Sequence, residues 1–164
     1  AVGREGLVVA VEPDGTNVSR LRDNLALNSI ANVRVVEAAA GERDEVVELH
    51  LADDSAYNSV RMIEGGHVVV GTTAVQSMRI DRVWDDLGHP PVSFVKIDVE
   101  GAEVSVLRGA RAMITSSRPT LLVEANDEAR RALLRSELEP LGYRHAPRPG
   151  FQPWNYLFLP ADPS

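Results

Sequence analysis

Four short apolar runs in this chain each end at an acidic residue. The first of them, Leu7–Val11, is apolar at every position, which is typical of a strand covered on both faces of a sheet. The four runs occupy residues 7–11, 33–36, 92–97 and 120–123, and they are followed by Glu12, Glu37, Asp98 and Glu124. Segments with helical spacing lie between them, and alternating strands and helices build a doubly wound sheet with right-handed crossovers. The sequence therefore predicts an α/β fold.

Apolar residues spaced three to four positions apart predict the helices. The longer helices are expected over residues 14–28, 102–116 and 127–141, and a shorter one over 80–87. Asp14 or Thr16 can cap the first helix through a side-chain oxygen, and Gly142 suits the position after the end of the last helix.

Further strands are expected outside the four main runs. They span residues 46–51, a hairpin about Gly65 and Gly66 within 61–70, and a closing antiparallel pair over 143–146 and 156–159. We therefore expect a mostly parallel sheet with an antiparallel C-terminal hairpin. The 164 residues suit a single domain over 1–164.

Composition restricts the class of partner. The chain has 24 acidic and 17 basic residues, a formal charge of −7, whereas nucleic acids and anionic membranes demand basic patches. No apolar run approaches the ~20 residues of a membrane helix. Cysteine is absent, which excludes disulfides, thiolate catalysis and cysteine-bound zinc. We expect a cytoplasmic protein with a small-molecule partner, and neither nucleic acid nor membrane binding.

The acidic residues that end the strands are the main candidates for chemistry, because ligands of open α/β sheets bind beyond the carboxyl ends of the strands. Glu12 can accept two hydrogen bonds from a ribose diol, as an acidic residue does at this place in nucleoside-binding folds. A solvated turn residue before Pro13 is the simpler interpretation of Glu12, and the residues alone leave both open.

The segment after the third run carries a lysine and two carboxylates at alternate positions. Lys96, Asp98 and Glu100 share one face if the strand continues that far, and a lysine on a sheet needs a carboxylate partner. Asp98 is the first candidate for a general base or for orienting a cationic ligand. Glu100 and Glu103 have a structural alternative, because both favour the positive end of the following helix; for Glu103 we favour that alternative.

The four histidines lack the spacing of a metal site, so no metal is predicted. His67 follows two glycines and is retained as a second candidate base, after Asp98 and alongside Glu124. The sequence contains neither a nucleophile elbow nor a phosphate-binding P-loop.

Several blocks of residues together resemble a known family. The first runs from Val9-Ala-Val-Glu-Pro-Asp14 to Ala39-Ala-Gly41, and the second reads Phe94-Val-Lys-Ile-Asp-Val-Glu-Gly-Ala-Glu103. Pro119–Glu124 and Asn155–Pro160 follow in the same order. These blocks resemble FkbM-type methyltransferases over nearly the whole chain, and the string from Lys96 to Glu103 is the most specific of them.

The resemblance implies a Rossmann-like class I fold, the cofactor S-adenosylmethionine, and O-methylation of a hydroxyl on a small molecule, sugar or natural product. It implies that Glu12, beside Pro13, binds the ribose hydroxyls and that Glu37 and Ala38 lie against the adenine. Other implied positions are Asp98 near the methyl group and the acceptor, and, on the acceptor side, Glu100, Glu124, Asn58 and Ser59.

One part of the family pattern has no counterpart in this sequence. The family begins with a strand, a Gly-rich turn that holds the cofactor, and a helix, whereas this sequence starts with Ala1 after the position of that helix. We therefore expect an N-terminally truncated domain that lacks the first strand and helix. An open sheet edge at that place makes homo-oligomerisation a further expectation.

Two other functions stay open on the sequence. A truncated or non-catalytic methyltransferase-like domain would act as an interaction or dimerisation module, which the absent Gly-rich turn favours and the four strand-end carboxylates disfavour. The second is a nicotinamide-dependent oxidoreductase, whose fold, like that of the methyltransferases, has an acidic residue after its second strand. The string from Asp98 to Glu103 does not suit an oxidoreductase of this class.

Overall fold

A computed structural model of the protein describes residues 2–3, 5–55, 58–61, 68–125, 127–147 and 154–161. The chain divides into two compact units. The first unit comprises residues 1–40 and 44–78, and the second comprises residues 41–43 and 79–164. The single domain over 1–164 stays a prediction.

The first unit begins with a strand, a helix and a parallel strand, as predicted. Strand β1 (Val8–Glu12) and strand β2 (Val33–Glu37) pair in parallel, and helix α1 (Gly15–Leu27) connects them. The register places Glu12 opposite Glu37, so both carboxylates lie at the same edge. Asp14 caps the helix, and the fully buried Val18 anchors its inner face.

A second sheet of the first unit contains strand β3 (Ala39–Ala40), strand β4 (Glu45–Ala52) and strand β5 (Val69–Met78) in the order β3-β5-β4. Strand β5 pairs antiparallel with β4 and parallel with β3.

The ten-residue strand β5 is longer than the sequence predicted and lies largely beyond the hairpin expected within 61–70. The part of β5 after residue 70 contains exposed threonines, Gly71 and Ala74, and these residues give no clear apolar alternation. For this reason the sequence did not predict that part of the strand. Of the predicted hairpin, the turn at Gly65 and Gly66 lies outside the described residues.

The second unit is built on four strands in the order β6-β7-β9-β8. Strand β6 (Phe94–Ile97) pairs in parallel with β7 (Thr120–Glu124), and β7 pairs antiparallel with β9 (Asn155–Pro160). Strand β8 (Tyr143–His145) pairs antiparallel with β9, which confirms the predicted C-terminal hairpin.

The helices of the second unit are α2 (Ile80–Asp86), α3 (Glu103–Gly109), α4 (Arg111–Ser117) and α5 (Glu128–Leu138). One 3₁₀ turn, Glu139–Leu141, follows α5 and ends at Gly142, whose φ of 74° is left-handed as the sequence predicted.

The prediction of one continuous helix over 102–116 is wrong, because the helix is interrupted at Ala110. The Asp81 carboxylate accepts hydrogen bonds from the N–H groups of Ala112 and Met113, at 3.0 and 2.9 Å. These bonds cap α4 as a separate helix. At the same place Gly109 packs so closely on the Gly41 backbone that a Cβ would overlap the Gly41 carbonyl oxygen.

The α/β class is confirmed, whereas the sheets are mixed rather than mostly parallel. In the part of the chain that the structure describes, three strand pairs are parallel and three are antiparallel. The antiparallel pairs arise where β4 pairs with β5 and where β9 lies between β7 and β8. Within the same ranges, no helix combines the length and apolarity that crossing a membrane requires.

Candidate functional site

Two carboxylates stand at the end of the parallel pair in the first unit. Glu12 Oε1 accepts a hydrogen bond of 2.9 Å from the Asp14 N–H, which orients the Glu12 side chain at the start of α1. Glu37 Oε2 lies 3.3 Å from the Arg22 guanidinium, and a Cβ on Gly15 would lie 3.3 Å from Glu37 Oε1. Both acidic side chains therefore lie close to the first turn of the helix.

The predicted cofactor residues of this unit are brought together. Ala38 is fully buried, and its N–H donates a hydrogen bond of 3.1 Å to the carbonyl oxygen of Glu12. Pro13 is half-buried directly after Glu12. Glu12, Pro13 and Glu37 thus lie together at the carboxyl ends of β1 and β2 with the buried Ala38 beneath them, and their role in cofactor binding stays a prediction.

Asn58 reaches the same end of α1 from another part of the unit. Its Nδ2 donates a hydrogen bond to Asp14 Oδ2, and its Oδ1 accepts one of 2.8 Å from the Ala52 N–H. Ser59 forms a backbone bridge with His50, through two hydrogen bonds of 2.8 and 3.1 Å. The buried Ser59 Oγ also accepts a 3.0 Å hydrogen bond from the Arg61 N–H.

A second group of carboxylates lies in the second unit. The register pairs Ile97 with Val123, so that Asp98 and Glu124 lie side by side where parallel strands β6 and β7 end. The Lys96 ammonium forms an ion pair with Asp98 Oδ2, which confirms that this lysine has a carboxylate partner. Both side chains remain about half exposed, at 52% and 40%.

Burial is the main reason why the pKa of Glu124 is raised from 4.5 to about 7. The negative charge of Asp98, a hydrogen bond with Asp98 and the charge of Glu100 raise it further, whereas Lys96 opposes the shift. Glu124 therefore exchanges a proton near neutral pH, beside a carboxylate that is paired with lysine.

Glu103 has the structural role that the sequence favoured. It is buried in the first turn of α3, and its Oε1 accepts a 2.8 Å hydrogen bond from the Gly101 N–H. The side chain reaches back over the start of the helix and satisfies a backbone donor there.

The Methyltransferase FkbM domain family matches residues 1–145 of this chain. The chain belongs to the FkbM methyltransferase family.

Two similar proteins accompany this match. Methyltransferase 1 of Beauveria bassiana (strain ARSEF 2860) is 26% identical, over 64% of this chain and 49% of that protein. The crystal structure of Methyltransferase FkbM from Methylobacillus flagellatus KT has a TM-score of 0.63 and 22% identity, covering 93% of this chain and 36% of that one. At this identity the likeness shows a shared fold. The chain spans about half the length of the first of these relatives.

Asn155 lies beyond the residues that the family matches, and sequence reasoning missed it as a candidate. It begins β9 directly opposite Glu124 in the strand register. Its Oδ1 is buried and has no hydrogen-bond partner among the residues that the structure describes. Only the pairing of β7 with β9 brings Asn155 to Glu124, and the sequence offered no signal beyond the family block that starts at this residue.

The remaining candidates of the FkbM domain are placed as follows. His67 lies outside the described residues, and its role as a base stays a prediction. Glu12, Pro13, Glu37, Ala38, Asn58 and Ser59 belong to the first unit, and Asp98, Glu100 and Glu124 to the second. Among the residues with described positions, no group of three His, Asp or Glu side chains is arranged to hold a metal ion.

Proposed function

We propose that this FkbM domain is an S-adenosylmethionine-dependent O-methyltransferase that acts on a hydroxyl of a small molecule, sugar or natural product. Family membership supports methyl transfer. The observation that carries the cofactor assignment is the oriented Glu12 carboxylate, held by the Asp14 N–H where β1 ends and beside the end of β2.

The residues in the first unit fit a nucleoside. One oxygen of Glu12 is held by a backbone donor, and a carboxylate retains further lone pairs that can accept hydrogen bonds from two ribose hydroxyls. The buried Ala38 gives the adjacent turn a small apolar residue, and Glu37 stands across from Glu12. In this proposal Glu12 and Pro13 hold the ribose and Glu37 lies against the adenine, while the fully buried Ala38 supports the turn from within.

When bound, S-adenosylmethionine supplies a methyl group that its positive sulfur already makes electrophilic. The tasks left to the protein are alignment of the acceptor hydroxyl and removal of its proton. An alcohol has a pKa far above 7, so a base must take the proton while the new bond forms.

Asp98 is the base in this proposal. It stands at the end of β6, and the Lys96 ammonium holds its Oδ2 in place. Glu124 and Glu100 line the acceptor side, and Glu124 can receive a proton near neutral pH because its pKa is about 7. His67 is the remaining candidate base.

We assign the parallel pair β1–β2 of the first unit and the parallel pair β6–β7 of the second unit to strand–helix–strand units of the class I methyltransferase type. Each pair is joined through at least one helix, which is the crossover that parallel strands require. The acceptor is then the small-molecule partner of the domain, in keeping with the net charge of −7.

Transfer of a labelled methyl group tests the function. The full-length protein is incubated with methyl-labelled S-adenosylmethionine and a panel of sugars, polyols and other hydroxylated small molecules. We expect label in a methyl ether. Asp98→Asn should lose at least about a hundredfold in rate, the range that a general base contributes.

Asp86→Asn is the matched control, because this aspartate is exposed at the end of helix α2 and does not end a strand. It should keep the wild-type rate. Label on nitrogen instead of oxygen, or full activity of Asp98→Asn, would contradict the proposal.

A further inference from the structure

Asn58 uses both ends of its amide within the protein. Its Nδ2 donates to Asp14 Oδ2, and its Oδ1 accepts from the Ala52 N–H at the end of β4. An amide that is both donor and acceptor in this way is fixed in orientation. Asn58 therefore ties the end of β4 to the start of α1.

Asp14 transmits that connection to the candidate cofactor site. The residue is 9% exposed, and its Oδ1 accepts from the N–H groups of Thr16 and Asn17, at 2.6 and 3.3 Å. Its own N–H donates to Glu12 Oε1 at 2.9 Å. A largely buried carboxylate whose two oxygens are both held has little freedom to turn, so the direction of its N–H is held as well.

We infer that Asn58 is a positioning residue for Glu12, acting through Asp14, and that it sets the affinity for the ribose of the cofactor. This inference rests on the proposed function. It gives Asn58 a place in cofactor binding, although the family resemblance puts it on the acceptor side.

The chemistry explains why an asparagine serves here. A leucine would leave the mostly buried Asp14 Oδ2 without its donor, and an aspartate would set a second negative charge against it. Alanine removes both hydrogen bonds of Asn58 at once. Each change should loosen the turn at Asp14 and hence the orientation of Glu12.

Calorimetric titration of the full-length protein with S-adenosylhomocysteine tests the inference. We expect Asn58→Ala to weaken binding about tenfold, the scale of one hydrogen bond. Asn58→Asp should weaken it further. Asn28→Ala is the matched control, because the amide of Asn28 bonds the Asn24 carbonyl oxygen at the exposed far end of the same helix; it should bind as the wild type does.

A double-mutant cycle separates positioning from a merely structural role. If Asn58 acts through Glu12, the variant Glu12→Gln/Asn58→Ala should bind no more weakly than Glu12→Gln alone. Additive losses would overturn the inference, because Asn58 would then contribute independently of Glu12.

Asp14→Ser covers the case in which Asn58→Ala does not fold. Serine is as good an N-cap as aspartate, but it cannot cap the helix and also hold Asn58 with a second oxygen. We expect the same tenfold loss with the fold retained. Wild-type affinity in Asp14→Ser or Asn58→Ala would overturn the inference, whereas failure of the wild type to bind S-adenosylhomocysteine would contradict the proposed function itself.

Discussion

Asp98 and Glu124 lie side by side at the ends of neighbouring parallel strands, and Asp98 acts on the ionisation of Glu124. Asp98 is paired with Lys96, while burial together with the charge and hydrogen bonding of Asp98 raises the pKa of Glu124 to about 7. Two carboxyl groups in one place thus differ in their environments, which is the arrangement that allows separate roles in proton transfer.

The raised pKa of Glu124 predicts a dependence of stability on pH. The folded protein binds this proton more tightly than the unfolded chain, whose glutamate has a pKa of 4.5. The Glu124 contribution to the free energy of unfolding should therefore decrease as the pH rises from about 4.5 through about 7. Denaturation by urea at several pH values should show this decrease in the wild type and its loss in Glu124→Gln.

The exposed Glu139 provides the control for that experiment. Glu139→Gln should retain the wild-type decrease between the two pH limits. A Glu124→Gln protein with an unchanged pH dependence would mean that Glu124 does not titrate in this range.

Removal of the Asp98 charge should lower the pKa of Glu124. Two of the causes that raise this pKa, the charge of Asp98 and the hydrogen bond with it, are lost in Asp98→Asn, and Lys96 is released to act on Glu124. Carbon-13 NMR of the glutamate carboxyl groups should follow the shift, with Glu124→Gln used to assign the signal. An unchanged midpoint in Asp98→Asn would show that the two carboxyl groups are not coupled.

Gly109→Ala should destabilise the protein. The new Cβ would overlap the carbonyl oxygen of Gly41, and backbone has to move to relieve the clash. Overpacking of this kind costs about 1–3 kcal/mol of unfolding free energy. Gly71→Ala is the control, because the nearest atom to its Cβ would be Leu51 Cδ1 at an ordinary 3.9 Å. Equal stabilities of the two variants in urea would contradict the close packing at Gly109.

Asp81→Ala should destabilise helix α4. The carboxylate bonds two N–H groups in the first turn, and loss of a helix cap costs about 1 kcal/mol. Thermal unfolding should show a lower midpoint than in Asp86→Ala, which removes an exposed aspartate from the same helix α2. A midpoint like that of the control would mean that α4 does not depend on this cap.

The sequence predicted the parts of the fold that depend on neighbours along the chain. The run before Glu12 is apolar on both faces. The side chain of Asp14 suits the start of a helix, and the backbone freedom of Gly142 suits the end of one. Because strand ends gather at one edge of a parallel pair, the position of Glu12 beside Glu37 was also predictable.

Features that depend on distant contacts were not predictable. The helix that begins after the break at Ala110 is capped by the Asp81 carboxylate from another helix, whereas residues 102–116 read by themselves show an unbroken helical pattern. In the same way, Asn155 reaches Glu124 only through the register of an antiparallel pair. The bonds of Asn58 likewise depend on where its segment meets Asp14, 44 positions away.

Binding of the cofactor ribose at Glu12 is the central claim, and its most direct test compares two ligands. The full-length wild type and Glu12→Gln are each titrated by calorimetry with two ligands, S-adenosylhomocysteine and its 2′,3′-dideoxy analogue. Glu48→Gln, which changes an exposed position on β4, is the control. We expect the wild type and the control to bind S-adenosylhomocysteine at micromolar concentrations, about −8 kcal/mol, and the analogue at least about tenfold more weakly. Glu12→Gln should lose most of that preference. Equal preference in the wild type and Glu12→Gln, or no binding by the wild type, would contradict the claim.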